Sequence, residues 1–146
     1  MTKIPTKVLI VDDEKDFVEM LSLRLNEMGE IVTAVYNGQD CLDTLGENEI
    51  DVVILDIKMP GMDGIEVLQE IKKRFPIVEV IMLTGHGSAE SAVEGMKLGA
   101  FDYLLKPADI DKLTDKVNGA RKRKEEHETR IREAEIRLLL RRVGEV

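Results

Sequence analysis

Short apolar runs alternate along the chain with longer segments in which apolar residues recur every three or four positions. The short runs predict five strands, near residues 7–12, 31–36, 51–56, 78–83 and 101–105. Between the first two runs, Phe17, Leu21, Leu25 and Met28 follow the spacing of an amphipathic helix, and the later gaps carry similar patterns. The alternation is typical of βαβ units. It therefore predicts an α/β fold, a doubly wound parallel sheet of five strands with five helices.

Residues suited to phosphate chemistry stand where four of the predicted strands end. Asp12 and Asp13 follow the first strand, Asp56 the third, Thr84 the fourth and Lys106 the fifth. Taken singly, each has a plain structural explanation, such as the acidic start of a helix or a surface charge. The carboxyl ends of parallel strands share one edge, however, and open α/β sheets bind ligands there. The set would suit Mg2+ and a phosphoryl group, which a carboxylate can accept.

The composition fits one folded domain and excludes several classes of protein. Apolar residues make up 43% of the 146 residues, and no apolar run approaches the ~18 residues that a membrane helix needs. The N-terminus lacks the apolar stretch of a signal peptide and Cys41 is the only cysteine, so we expect a cytoplasmic protein. Residues 1–107 carry a net charge of −10, which disfavours direct binding to nucleic acid, whereas residues 108–146 carry +2.

Four segments together carry a family resemblance. LIVDDE, ILDIKMPGMDG, MLTGHGS and AFDYLLKP resemble the receiver domain of two-component response regulators, in the order and with the spacing of that family. The resemblance covers roughly residues 5–123 and implies a flavodoxin-like sheet with strand order 2-1-3-4-5. It also implies a signalling protein whose own phosphorylation and dephosphorylation are its chemistry, rather than an enzyme that turns over an external substrate.

The resemblance implies roles for the acidic residues. Asp56 would be the phospho-acceptor, taking a phosphoryl group from a sensor histidine kinase or from a small donor such as acetyl phosphate. Asp12 and Asp13 would hold Mg2+ together with Asp56 and the backbone carbonyl of Lys58. The cofactor that the resemblance implies is therefore Mg2+.

The same resemblance implies a switch. Thr84 and Lys106 would bind the phosphoryl oxygens, and movement of the Thr84 hydroxyl would make room for Tyr103 to turn inward. The surface of the fourth helix, fifth strand and fifth helix would then change, which would signal to a downstream protein or an output domain. The Lys106-Pro107 bond is expected to be cis, and His86 stands at a position that tunes the lifetime of the aspartyl phosphate.

The last residues exceed what a receiver needs. We therefore expect a receiver domain over residues 1–123 and a C-terminal helical extension over residues 124–146, acting as a linker or a coiled coil. Apolar positions continue from the fifth helix into this extension at spacings of three and four, interrupted by Lys124 and His127. Such a seam would permit a homodimer through the last helix, whereas Asn118-Gly119 is a place where the helix could break.

A basic run at residues 121–124 leads into this extension. Glutamates follow it directly, at Glu125, Glu126 and Glu128. This sequence predicts a solvated helix with local ion pairs rather than a nucleic-acid site.

Three alternatives remain open at the level of the sequence. The chain could be a stand-alone receiver or the N-terminal part of a longer transcriptional activator. A phosphatase with an aspartate nucleophile would want a second aspartate where Lys58 stands. A degenerate receiver used only for binding is disfavoured by the intact acceptor, acid pair, Thr84 and Lys106.

Overall fold

Within the described part of the chain, five parallel strands form one sheet with helices on both faces. A computed structural model of the chain describes residues 4–85 and 89–144. The strands are β1 (Lys7–Val11), β2 (Ile31–Val35), β3 (Val52–Asp56), β4 (Glu79–Thr84) and β5 (Asp102–Leu105). The helices are α1 (Lys15–Glu27), α2 (Gly38–Glu47), α3 (Gly64–Arg74), α4 (Ala89–Lys97) and α5 (Ile110–Gly144). The strand order is β2-β1-β3-β4-β5, so the predicted fold and strand order are confirmed.

Side chains from the central strands point alternately to the two faces and build two apolar layers. Leu9 and Val11 of β1 pack with residues of α2 and α3 on one face. Val8 and Ile10 pack with residues of α1 and α5 on the other. All five residues of β3 and all six of β4 are buried, which explains their near-continuous runs of branched apolar residues.

The loop after β3 is shaped by a close approach of the backbone. Asp63 caps α3 by accepting a hydrogen bond from the Glu66 N–H at 3.0 Å. The next residue, Gly64, donates its N–H to the Ile57 carbonyl at 2.7 Å. A Cβ atom on Gly64 would lie 2.5 Å from the Ile57 Cα and would also collide with the Asp56 carbonyl oxygen. The start of α3 therefore packs directly on the backbone that carries Asp56.

The fifth helix runs without interruption for 35 residues. The break considered at Asn118-Gly119 was wrong, because Gly119 lies within the helix and faces the ring of Phe101, the residue before β5. From Ile110 the helix packs on the sheet, but every described residue after Glu128 is exposed. Over residues 4–85 and 89–144, no helix has the length and apolar character needed to cross a membrane.

Replacing Gly64 with alanine should destabilise the fold, because the new methyl group must displace backbone rather than a flexible side chain. We expect the free energy of unfolding to fall by about 1–3 kcal/mol, measured by urea denaturation. Gly46→Ala is the matched control. Its Cβ would meet no atom within 4 Å inside α2, so it should be neutral or stabilising. Equal stability of Gly64→Ala and the parent would contradict this account of the loop.

Candidate functional site

Three carboxylates meet at the carboxyl edge of the sheet. Asp12 and Asp13 directly follow β1, and Asp56 is the last residue of β3. One oxygen from each of the three lies within 4.8 Å of the others. Asp12 is fully buried, Asp56 is 5% exposed and Asp13 is exposed, so the cluster is open to solvent on one side only. An all-oxygen set of this kind suits a hard divalent cation.

Lys106 reaches into the cluster from the end of β5. Its Nζ lies 2.6 Å from Asp12 Oδ2 and 3.6 Å from Asp56 Oδ2. It also lies 3.3 Å from Glu14 Oε1 and 4.7 Å from the centre of the Phe17 ring. Burial alone would lower the pKa of Lys106. The hydrogen bond to Asp12 and the charges of Asp56 and Asp12 outweigh it and raise that pKa, so the ammonium stays charged.

The ionised form of Asp56 is disfavoured relative to the protonated form at this position. Burial, followed by the negative charge of Asp12, raises the pKa of Asp56 to about 6. The charge of Lys106 and a hydrogen bond from the Lys58 backbone N–H to Asp56 Oδ1, 3.3 Å long, act in the opposite direction. One ammonium therefore offsets only part of the repulsion within the cluster, and a further positive charge would relieve it.

Thr84 is buried at the end of β4 and its side chain is turned toward β5. The hydroxyl donates to the Leu104 carbonyl at 3.4 Å, while the Lys106 N–H donates to the Thr84 carbonyl at 2.8 Å. Tyr103, next to Leu104 on β5, is 42% exposed. The Lys106-Pro107 peptide bond is cis. His86, named above for its position near Thr84, lies outside the described residues.

Two neighbours of the site were missed at the level of the sequence. Glu14 occupies the N-cap position of α1, but its side chain makes no capping bond and instead pairs with Lys106. Phe17 was assigned only to the apolar side of α1, although its half-buried ring also underlies the Lys106 ammonium. Lys106 lies 92 residues from Glu14 along the chain, so no local pattern could have predicted the pair.

Comparisons with known proteins agree with this geometry. The family model of the response regulator receiver domain matches residues 8–118. An NtrX-like response regulator of Rickettsia bellii is 44% identical over 108 residues. That match covers 73% of this chain and 23% of the relative, so the chain spans about a quarter of the relative's length.

Solved structures give the same result. A response regulator receiver domain protein from Clostridium thermocellum is 40% identical with a TM-score of 0.79, and the match covers 82% of this chain and 97% of that one. NtrX from Brucella abortus is 30% identical with a TM-score of 0.81, and the match covers 86% of this chain and 29% of that one. Fold, carboxylate cluster and family match agree, and the chain belongs to the receiver domain family of two-component response regulators.

Proposed function

We propose that this receiver takes a phosphoryl group on Asp56 from a sensor histidine kinase and signals through a changed surface. The observation that carries the proposal is the position of Asp56. Its carboxylate ends a buried strand, lies beside two other carboxylates and is 3.6 Å from the Lys106 ammonium. An ionised oxygen of Asp56 attacks the phosphorus atom, and the bond to the donor's imidazole nitrogen breaks as the new P–O bond forms.

The three carboxylates fit Mg2+, because they supply only oxygen donors and repel each other without a cation. Asp12, Asp13 and Asp56 would hold the ion together with the backbone carbonyl of Lys58. When bound, the ion supplies positive charge against the carboxylates and the phosphoryl oxygens. The same charge keeps Asp56 ionised at neutral pH, the form in which it is a nucleophile.

Lys106 and Thr84 stabilise the charge that builds up on the transferring group. Lys106 is already charged and next to Asp56, so a short movement away from Asp12 brings its ammonium to a phosphoryl oxygen. Thr84 must turn its hydroxyl from the Leu104 carbonyl toward the phosphoryl group. Its present bond is long at 3.4 Å, so little is lost when it breaks.

The turn of Thr84 supplies the switch. Tyr103 is exposed here and moves into the space that the Thr84 side chain leaves. The outer face of α4, β5 and α5 then changes, and this face already exposes Val93, Met96 and Leu105. A downstream protein or an output domain would read the new surface. The coverage of 23% and 29% in the two NtrX relatives favours an output domain in a longer transcriptional activator.

Incubation with acetyl phosphate and Mg2+ tests the acceptor directly. Intact mass should rise by one phosphoryl group in the parent and stay unchanged in Asp56→Asn, because the amide is not a nucleophile. A short-lived adduct can be replaced by beryllofluoride, which should bind the parent only. Phosphorylation of Asp56→Asn to the same extent, or a parent that takes neither group, would overturn the proposal.

The charge of Asp56 should also lower the stability of the parent. Between the ordinary pKa and about 6, the folded state holds a proton that the unfolded state releases, so stability falls as pH rises through this range. At about pH 8 we expect the free energy of unfolding of Asp56→Asn to be about 1–3 kcal/mol higher than that of the parent. The difference should disappear below about pH 4.

Urea denaturation at several pH values measures this difference, and Asp115→Asn controls for the loss of one negative charge on an exposed part of α5. Added Mg2+ should stabilise the parent more than Asp56→Asn. If the two proteins have the same stability at high pH, the carboxylate cluster is not under electrostatic strain.

We also propose that the end of α5 binds a second copy of the chain. Ile131, Ala134 and Leu138 continue the face that packs on the sheet through Val117 and Ala120, yet they are exposed. An apolar seam that continues at this spacing, without a sheet to cover, is typical of a coiled coil. A parallel pairing through residues 129–144 would bury it.

Removal of residues 129–146 should therefore convert a dimer to a monomer in sedimentation experiments. The cut is placed after Glu128 because Lys124 is buried and pairs with Glu128 at 3.3 Å. Leu138→Asp is a second variant that leaves the length of the helix unchanged and should also give a monomer. An untruncated 146-residue chain that sediments as a monomer at high concentration would contradict the pairing.

A further inference from the structure

The basic run at residues 121–124 is held against the sheet. Arg121 donates to the Ile4 carbonyl and, at 3.3 Å, to Thr6 Oγ1. Arg123 Nε lies 2.7 Å from Glu79 Oε2, and its guanidinium is 5.5 Å from the centre of the Phe101 ring. The interpretation of this run as a solvated helix with local ion pairs was therefore incomplete.

Lys124 makes the most buried of these contacts. Lys124 is 4% exposed, and its Nζ lies 3.0 Å from Asp51 Oδ1. The other oxygen of Asp51 accepts a hydrogen bond from the Lys7 backbone N–H at 2.9 Å. Burial would lower the pKa of Lys124, but the hydrogen bonds to Asp51 and Glu128 and the charges of these carboxylates outweigh it and raise that pKa, so the Lys124 ammonium stays charged.

The partners of the run lie at one edge of the sheet. Thr6 precedes β1, Asp51 precedes β3 and Glu79 begins β4. Glu79 is 2% exposed and also pairs with Lys72 at 3.1 Å. This edge is opposite to the one that carries the candidate site, and three of the same strands connect the two edges.

These contacts form where the apolar packing of α5 ends. Leu113, Val117 and Ala120 are the last buried apolar residues of the helix, and the described residues after Glu128 are exposed. After Ala120, the helix is therefore held to the sheet by the hydrogen bonds and ion pairs of the basic run and by the contact of Arg123 with the Phe101 ring. Ion pairs whose partners are this buried depend closely on their geometry.

We propose that Arg121, Arg123 and Lys124 form a basal clasp, at the edge of the sheet opposite the candidate site, that fixes the direction in which residues 129–144 leave the sheet. The structural unit of the receiver then ends after Glu128 rather than at residue 123. While these contacts hold, a displacement of α5 at the face formed by α4, β5 and α5 also displaces the projecting part of the helix as a rigid body. The clasp rests on contacts at the basal edge and does not depend on phosphorylation of Asp56.

A distance measurement between two spin labels tests the clasp. One label replaces exposed Lys73 at the end of α3 and the other replaces exposed Arg137 on the projecting helix. Cys41 can stay, because it is fully buried and burial raises the pKa of its thiol to about 12, so it should not react with the label. Dilution with an excess of unlabelled chain removes distances between two copies.

The parent should give one narrow distance distribution. The triple variant Arg121→Gln, Arg123→Gln, Lys124→Gln should give a distribution at least about twice as wide, since the part of its helix after Ala120 has lost these contacts with the sheet. Lys122→Gln is the matched control. It lies in the same basic run, is exposed and has no ion pair with any residue of 4–85 or 89–144, so its distribution should equal that of the parent.

Circular dichroism shows whether each variant is folded. Should the triple variant fail to fold, Arg123→Gln decides alone, because its side chain is 45% exposed and its loss should be tolerated. Arg123→Lys should give a narrower distance distribution than Arg123→Gln, since it keeps the positive charge near Glu79. A folded triple variant, or a folded Arg123→Gln, with the width of the parent overturns the clasp.

Discussion

The parallel register of β1 against β3 is the constraint on which the site depends. Val11 lies opposite Leu55, so the next residue on each strand, Asp12 and Asp56, emerges at the same level. The register is fixed by apolar side chains on both faces of the sheet. Since successive strand residues point to opposite faces, a slip of one residue would turn Asp56 away from its neighbours. The packing of the core therefore determines where the carboxylates of the candidate site lie.

That placement has an energetic cost within the folded state. Two buried carboxylates and an exposed one lie around the ammonium of Lys106, whose shortest contact among them is with Asp12 rather than Asp56. The ionised Asp56 consequently remains unfavourable, as its raised pKa indicates. Functional sites often keep such unfavourable interactions, while elsewhere in the structure the sequence agrees with the fold. Here the continuous burial of β3 and β4 provides the consistent part.

The sequence predicted the strands well because burial on both faces leaves unusually plain apolar runs. The strand order and the roles at the site came from the family resemblance, since periodicity does not say which strands are neighbours. The expectation of a break at Asn118-Gly119 failed because Gly119 lies inside α5, where its lack of a side chain leaves room for the Phe101 ring. Local preference for a turn was overridden by that contact.

Contacts between distant parts of the chain were beyond prediction. Lys124 looked like an interruption of an apolar seam, whereas it is a buried partner of Asp51, 73 residues away. Charged residues are almost never buried without a partner, and the partner could not be identified from spacing. For the same reason Glu14 and Phe17 were not assigned to the surroundings of Lys106.

The two charged edges also give the central strands a fixed length. Asp51 and Asp56 are five residues apart, and so are Glu79 and Thr84, which corresponds to roughly 16 Å of extended chain on each strand. An insertion or deletion inside either strand would separate one end from its partners whatever happened to the other. Insertions and deletions are therefore tolerated only in the loops, and the number of residues in each central strand sets the distance between the two edges of the sheet.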